Sequence, residues 1–343
     1  LKIYKRLFVS IKSMKKILLV SPSSTTSPSF EYGVRSSLES LGHNISVFNY
    51  RQHQLHRFSF TRNLLNKKLL NLALKSNPDL VLVLKGEQIQ KGVIENISNQ
   101  GIKTANWILD DPFGKLNKFN EVKNRNEYDD FFVFDPFYVK KLKESGQNNA
   151  HYLPCATNTE LYTEQIPLTQ RKYDQDLSFI GTYQKNRGRI LSALYDQNMK
   201  IWGYHWDKAP DNLKLNSKIQ KESLHGTKNI EHTQKICKIF NQTKINMNVH
   251  YPHSIESVNI RTFDIPATKS FQLCDYFKEI PNLFKLNKEI VCYKNTEELN
   301  ELTKYYLDNE EERNKISLAG YKRVINEHTV KHRMKSLLNT IKL

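Results

Sequence analysis

A short, continuous apolar run recurs between helix-length segments throughout this chain, and it limits the possible folds more than any other feature. The clearest case is Leu80-Val81-Leu82-Val83-Leu84, which lies between Asn77-Pro78-Asp79 and Lys85-Gly86. A run of this length without polar alternation predicts a strand that is buried on both faces, as in parallel sheets covered by helices. A similar run follows Lys16 at 17–20, and the stretch 245–249 has Ile245, Met247 and Val249 separated by asparagines. The sequence therefore predicts an α/β fold built on parallel sheets.

The same order of elements starts twice, and 343 residues exceed the usual size of one hydrophobic core. We predict a first domain at 14–157 and a second domain at 171–328. The segment 158–170 contains Pro167 and few apolar residues, so we interpret it as the linker. Residues 1–13 precede the first apolar run and are interpreted as an N-terminal extension.

The net charge of +17 favours anionic partners such as nucleotides, nucleic acids or an acidic membrane surface. The segment 51–75 combines leucines at helical spacing with the cations Arg57, Arg62, Lys67, Lys68 and Lys75. Such a helix either touches an anionic membrane surface or, more commonly, packs on a core with a solvated cationic side. No nucleic-acid motif accompanies the charge and the cations are spread out, so we predict no nucleic-acid partner.

The four cysteines form no CxxC pair, so neither a zinc site nor a disulfide framework is indicated. His328 and His332 are four residues apart but lack a third ligand nearby, and we predict no metal site. No apolar run approaches the ~20 residues of a membrane span. The sequence thus predicts a soluble protein of the reducing cytoplasm.

The stretch at 259–273, NIRTFDIPATKSFQL, reads as the loop, helix and next strand that follow an apolar strand. Arg261 falls in the first turn of the helix, where unpaired N–H groups and a partial positive charge suit a phosphate. Asp264, one turn further on, is placed to accept hydrogen bonds from a ribose. The alternative is an ordinary crossover helix with an exposed Arg and Asp.

A second strand, glycine, basic loop and helix occur at 176–196. Lys185 and Arg187 in this unit could neutralise a pyrophosphate, although the pattern is neither a Walker motif nor GxGxxG. Trp206 follows the strand at 200–204 and either stacks on a base or sugar or closes the edge of its domain.

Two acids, Asp110 and Asp111, follow the predicted strand at 104–109 and precede Pro112. At the carboxyl end of a parallel strand they are placed to bind a sugar or to act as a base. The alternative is that Asp-Asp-Pro only makes a turn and caps a helix.

Several of these stretches together resemble the spore-maturation (CgeB-type) glycosyltransferase family, which is similar to other retaining, nucleotide-sugar-dependent GT-B enzymes. The stretches that carry the resemblance are PDLVLVLKGE, TANWILDDPF, DLSFIGTYQKNRGRIL, NIRTFDIPATKSFQL and the tail LNELTKYYLDNEEERNKISLAGYKRV with EHT and Arg333 after it. The resemblance covers nearly everything from Met14 onward.

The resemblance implies two Rossmann-like domains that face each other across a cleft. The nucleotide-sugar donor would bind mainly to the second domain and a glycan or protein acceptor to the first. The last helix, at 329–343, would cross back to the first domain. By position, Arg187 and Arg261 match the basic residues that face the donor phosphates, and Asp264 matches an acid that holds the ribose.

Two positions depart from the pattern of the family. The family usually has Glu where this chain has Asp264, which is one methylene shorter. It also has a turn with Gly where this chain has Thr268-Lys269-Ser270. Lys269 either obstructs the close approach to the donor that Gly permits or adds a contact to the phosphate or sugar.

The leading hypothesis is a glycosyltransferase that moves a sugar from a nucleotide-diphosphate sugar to a hydroxyl acceptor without a metal or other cofactor. Lys185, Arg187, Arg261 and helix N-termini would stabilise the departing phosphate, while Asp110 or Asp111 would position the acceptor. The alternatives are a binding protein on a catalytically degenerate GT-B fold and, less favoured, a nucleic-acid-binding protein.

Overall fold

The computed structural model describes residues 14–22, 28–51, 59–114, 121–162, 165–220 and 230–343. The predicted extension at 1–13 lies outside this part of the chain, as does Arg57 of the basic segment. None of the helices within the described ranges has the length and apolar character needed to cross a bilayer.

The first sheet consists of parallel strands in the order β2-β1-β3-β4-β5-β6. Its strands are β1 (Lys16–Ser21), β2 (Asn44–Asn49), β3 (Leu80–Leu84), β4 (Lys103–Ile108), β5 (Asp130–Val133) and β6 (Ala150–Tyr152). The helices in this part of the chain are α1 (Pro28–Ser40), α2 (Ser59–Ser76), α3 (Val93–Ser98) and α4 (Pro136–Glu144). Every residue of β3 is buried, as its uninterrupted apolar sequence predicts.

The second sheet is also parallel, in the order β12-β11-β10-β7-β8-β9. Its strands are β7 (Gln175–Ile180), β8 (Met199–Trp202), β9 (Lys218–Gln220), β10 (Thr243–Asn248), β11 (Gln272–Asp275) and β12 (Val291–Tyr293). The helices that follow β7 are α5 (Lys185–Ser192), α6 (Asp211–Asn216), α7 (Ile230–Asn241), α8 (Arg261–Ala267), α9 (Ile280–Leu283), α10 (Thr296–Asp308), α11 (Glu310–Glu327) and α12 (Val330–Thr340).

The predicted fold class is confirmed, because two parallel sheets of six strands each lie in an α/β arrangement. In each sheet the strand order reverses beside the first strand, at β1 in one and at β7 in the other. Open α/β sheets bind ligands at such reversal points, outside the carboxyl ends of the strands. The fold therefore directs attention to the loops that follow β3, β4, β7, β10 and β11.

The last helix, α12, packs on the first sheet although it follows the second sheet in sequence. Its apolar residues Val330, Met334 and Leu337 share one core cluster with Leu82 and Trp107. Burial of these side chains against the first sheet supplies the driving force for the crossing. The predicted linker at 158–170 holds two short 3-10 turns, Thr159–Leu161 and Leu168–Gln170. The domain boundaries themselves stay predictions.

Candidate functional site

Helix α8 begins directly after the loop that leaves β10, so Arg261 lies at the carboxyl edge of the second sheet. Polar side chains around Thr262 fix this start. The Asn248 amide donates to Thr262 Oγ1 at 3.0 Å, and His250 Nε2 is 3.2 Å from the same oxygen. The backbone N–H of Thr262 donates to Asn259 Oδ1 at 3.2 Å. Because α8 has only seven residues, its N-terminal field is weaker than the sequence suggested, and the Arg261 side chain carries most of the local positive charge.

Arg187 lies on α5, the helix that follows β7, and β7 is the strand next to β10. Its Nε donates to the Val249 carbonyl at 3.0 Å and its Nη1 to the Thr182 carbonyl at 2.9 Å. Burial lowers the pKa of Arg187 to about 10, and nearby Arg261 adds to the decrease while Asp275 opposes it. Arg187 and Arg261 thus lie within electrostatic reach of each other, at the ends of β7 and β10. Lys185 is exposed at the first position of α5.

The sequence prediction that Asp264 offers a carboxylate to a ribose is not supported by its surroundings. Asp264 is only 4% exposed. Arg261 Nη1 donates to its Oδ2 at 3.0 Å, and Thr157 Oγ1 donates to its Oδ1 at 2.8 Å. Burial raises the pKa of Asp264, while the charge of Arg261 and hydrogen bonds from Thr157 and Tyr162 oppose the rise. Asp264 lies on the side of α8 that is turned inward, so its carboxylate faces the linker. The carboxylate therefore joins the two domains and does not face the cleft.

Lys269 also lies away from the position that the sequence analysis gave it. It follows α8 and precedes β11, so it lies at the amino edge of a sheet whose carboxyl edge holds Arg261. Its ammonium stands over the Tyr321 ring, 4.8 Å from the centroid, and its carbonyl accepts from Arg171 Nη1 at 2.9 Å. Its φ of 55° is the left-handed conformation that favours glycine. Lys269 therefore replaces a turn glycine and neither obstructs nor contacts a ligand near Arg261.

Trp206 closes the core of the second domain, which is the packing alternative from the sequence analysis. It is 2% exposed, and its Nε1 donates to the Gly181 carbonyl at 2.8 Å. The rings of Phe179 and Tyr183 pack edge-on against it, at centroid distances of 5.6 and 5.3 Å. An indole enclosed in this way has no free face, so the predicted stacking of Trp206 on a base is not supported.

The two predicted acids after β4 have different surroundings. Asp111 is 6% exposed and its Oδ1 accepts from the Phe113 N–H at 2.9 Å, so it stabilises a turn as the alternative predicts. Asp110 Oδ2 is 3.1 Å from Lys85 Nζ. Burial opposes the charge of Asp110, but attraction to Lys85, His253 and Arg51 exceeds it, so the pKa of Asp110 is lowered. Asp110 is therefore an ionised carboxylate that faces the second domain.

A buried carboxylate that the sequence analysis missed holds the two domains together. Asp135 lies between β5 and α4 and is fully buried. Its Oδ2 accepts hydrogen bonds from three consecutive N–H groups of the second domain, those of Ile255, Glu256 and Ser257, at 2.8, 3.0 and 3.0 Å. Its Oδ1 accepts from the Phe137 N–H at 2.9 Å and caps α4. The sequence showed only the cap, since Asp-Pro before a helix is its usual signal.

The loop between β10 and α8 consequently crosses to the first domain before it returns to Arg261. Tyr138 of α4 donates from Oη to the His253 carbonyl at 2.8 Å. The His253 ring lies near Asp110, with 4.0 Å between Nδ1 and Oδ1. The carboxyl edges of the two sheets therefore face each other, with a cationic pair on one and a carboxylate on the other. Such a site can hold an anion beside Arg187 and Arg261 and present a hydroxyl to Asp110.

Part of the sequence is similar to known glycosyl transferases. Residues 186–339 match the model of the glycosyl transferase-like family. This part of the chain is similar to that family. The spore protein CgeB of Bacillus subtilis (strain 168) is 23% identical over 262 residues, which cover 72% of this chain and 78% of that protein. The resemblance to CgeB-type proteins is thereby confirmed.

Solved structures show the same fold over nearly the whole chain. Sucrose-phosphate synthase from Thermosynechococcus elongatus superposes with a TM-score of 0.65 at 11% identity, covering 96% of this chain and 99% of that one. Anabaena HepE in complex with UDP-glucose gives a TM-score of 0.63 at 10% identity, again over 96% and 99%. The prediction of a GT-B fold is confirmed.

Proposed function

We propose that this protein transfers a sugar from a nucleotide-diphosphate sugar, bound on its second domain, to a hydroxyl of a glycan or protein on its first domain. The observation that carries the proposal is the placement of Arg187 and Arg261 at adjacent strand ends of one sheet, facing Asp110 on the other. The GT-B fold and the glycosyl transferase-like family give the reaction class. The nucleotide-sugar donor and the hydroxyl acceptor belong to the proposal.

Stabilisation of the leaving group follows from the positions of the cations. When the bond between the sugar and the phosphate breaks, negative charge develops on the departing nucleoside diphosphate. Arg187 is 8% exposed, so water screens its charge less than that of a surface cation. Arg261 Nη1 donates to Asp264, and the 17% of the side chain that is exposed can meet a phosphate. With exposed Lys185 nearby, these cations supply the charge that a metal would otherwise supply, and we propose a metal-independent transfer.

The acceptor side of the reaction is assigned to Asp110. A carboxylate with a lowered pKa stays ionised at neutral pH and accepts a hydrogen bond from a sugar or side-chain hydroxyl. Lys85 fixes its orientation from within the first domain, at 3.1 Å. Because Asp111 is used in a turn, we assign no role in the reaction to it.

A panel of donors tests the proposal directly. UDP-glucose, UDP-N-acetylglucosamine, GDP-mannose and dTDP-glucose are each added to the protein, and both thermal stabilisation and released nucleoside diphosphate are measured. A donor at 100 times its Kd should stabilise the fold by roughly 2.7 kcal/mol. We expect one donor to stabilise the protein and to be consumed. Stabilisation without any consumption would favour the alternative, a binding protein on a degenerate GT-B fold. A panel without any effect would contradict the donor site.

A peripheral contact with an anionic membrane surface is a further proposal, supported by α2. This helix has no acidic residue, and Lys67 and Lys68 are exposed on it. Leu64 and Leu74 on the same helix are each 43% exposed. Exposed leucines beside lysines favour binding at the surface of anionic lipid. Co-sedimentation with vesicles containing phosphatidylglycerol should exceed that with pure phosphatidylcholine, and a double change Lys67→Glu and Lys68→Glu should abolish the difference; equal sedimentation would contradict the contact.

A further inference from the structure

His253 belongs to the second domain, yet its ring lies against the reacting face of the first. Its Nδ1 is 4.0 Å from Asp110 Oδ1, and its side chain is 19% exposed. The Phe134 ring packs edge-on against it at 5.3 Å and the Tyr251 ring lies 4.8 Å away. The hydrogen bond from Tyr138 Oη holds its carbonyl. The imidazole is therefore fixed by both domains while one edge stays open to the cleft.

The distance between His253 and Asp110 is suited to an intervening atom. At 4.0 Å the two atoms are too far apart for a direct hydrogen bond. A single hydroxyl oxygen about 2.8 Å from each of them would bridge the gap with ordinary geometry. The pair can therefore hold one hydroxyl group between a neutral imidazole nitrogen and a carboxylate.

We propose that His253 is a further catalytic residue, the proton acceptor for the acceptor hydroxyl, with Asp110 as the carboxylate that orients this hydroxyl. The inference rests on the proposed function and deepens it. In the step, the acceptor oxygen forms a bond to the anomeric carbon, and the bond between that carbon and the phosphate oxygen breaks. Its electron pair leaves with the nucleoside diphosphate, while the hydroxyl proton passes to Nδ1 of His253.

The charges around the ring favour this division of roles. Burial lowers the pKa of His253 and Arg187 adds to the decrease, while Asp110, Asp111 and Asp135 oppose it. The imidazole is consequently neutral at pH 7 and able to take a proton. Asp110, whose pKa is also lowered, is a weaker base and better suited to stabilise the imidazolium that forms.

The arrangement also makes the base dependent on domain closure. His253 reaches Asp110 because the loop that carries it is bound by Asp135 and Tyr138 of the first domain. If the domains separate, the base leaves with the second domain and the carboxylate stays with the first. Proton transfer would then be confined to the closed form, in which water has less access to the donor.

The test compares His253→Gln with the wild type, using the panel donor that stabilises the protein most. Gln keeps hydrogen-bonding capacity but cannot accept the proton. We expect an unchanged Kd for the matching nucleoside diphosphate and an unchanged KM, with kcat lower by roughly 100-fold. As a matched control, His151→Gln alters another histidine that lies beside an aspartate, 2.7 Å from Asp130 and outside the cleft, and it should keep the wild-type kcat.

The pH profile separates a proton acceptor from a structural residue. Wild-type kcat should fall as the pH drops through the pKa of His253, because the imidazolium cannot accept a proton. This acidic limb should be absent from the residual rate of His253→Gln. In Asp110→Asn it should move to lower pH, because the carboxylate that stabilises the imidazolium is gone. A His253→Gln variant with wild-type kcat and pH profile would overturn the inference alone, whereas a wild type that binds no nucleotide would overturn the proposed function.

Discussion

His328, a single buried residue, couples the packing of this protein to pH. It is 6% exposed between the rings of Phe263 and Phe284. Its Nε2 is 2.8 Å from the Leu283 carbonyl and its Nδ1 is 3.0 Å from Arg333 Nη2. Arg333 can only donate, so Nδ1 must accept and the ring must be neutral. Burial and the charge of Arg333 lower the pKa of His328 to about 4.

Acid should therefore destabilise the protein through His328. Between pH 6.5, the pKa in the unfolded chain, and about 4, the unfolded state binds a proton that the folded state does not. The free energy of unfolding therefore decreases by up to about 1.4 kcal/mol for each unit by which the pH is lowered, or by roughly 3 kcal/mol in total. Urea unfolding between pH 4 and 7.5 should show a smaller fall for His328→Gln than for the wild type. An equal decrease in the free energy of unfolding of the variant and the wild type would contradict this account of His328.

Single residues also show the limits of sequence reasoning. Arg187 and Arg261 were placed correctly at the sheet edge because both follow strands of a parallel sheet, and such strands end on one side. The surroundings of Asp264 and Lys269 were not predicted correctly, because they depend on how α8 is rotated and on where it ends. A seven-residue helix spans about 10 Å, enough to carry Lys269 to the opposite edge.

Among the elements, α8 and α11 make the contact that keeps Arg261 in place. Gly320 of α11 lies so close to α8 and the chain before β12 that a Cβ there would be 2.5 Å from the Glu289 carbonyl oxygen and 3.3 Å from Pro266 Cβ. Backbone on one side and a proline ring on the other leave little room for adjustment. The glycine is thus required by helix packing.

Gly320→Ala should therefore destabilise the protein although alanine is the better helix former. Overpacking of this kind costs about 1–3 kcal/mol, against a gain of about 1 kcal/mol in helix propensity. Chemical unfolding should show a net loss. Leu318→Ala, a change at a position on the same helix that is 38% exposed, is the control and should stay within about 0.5 kcal/mol of the wild type. A Gly320→Ala variant as stable as the control would contradict the close approach of α11.

Strands were the elements that the sequence defined best, and their connections were defined least. The apolar runs of β1 and β3 are visible in any window of the sequence. The polar segment that contains α6 and β9 has no such run, so nothing in the sequence indicates its three-residue edge strand. Pairing with β8 defines β9, and pairing is not a local property of a sequence.

At the scale of the whole molecule, Asp135 governs how the two domains meet. It lies 120 residues from Ile255 in the sequence, so no local pattern could have indicated the pair. Asp135→Ala would remove the acceptor of three N–H groups, of which the buried one of Ser257 would cost about 1–3 kcal/mol unless water reaches it. The simplest way to admit water is to separate the domains.

Small-angle X-ray scattering measures that separation. Asp135→Ala should have a larger radius of gyration than the wild type and a lower kcat, since His253 and Asp110 move apart. Asp211→Ala removes an exposed carboxylate that pairs with Lys214, and it should match the wild type in both. An unchanged radius of gyration in a folded Asp135→Ala would show that other contacts suffice to hold the domains.

The central claim is that a nucleoside diphosphate binds at the edge of the second sheet where Arg261 lies, and calorimetric titration tests it most directly. UDP, GDP and dTDP are titrated into the wild type, Arg261→Ala and Lys269→Ala, two variants that each remove one cation from the segment between β10 and β11. We predict that the wild type binds one nucleotide below millimolar Kd and that Lys269→Ala matches it. Arg261→Ala should bind about 10-fold to 100-fold more weakly, the loss of a charged hydrogen bond. Equal affinities in Arg261→Ala and the wild type, or no binding by any protein, would contradict the claim.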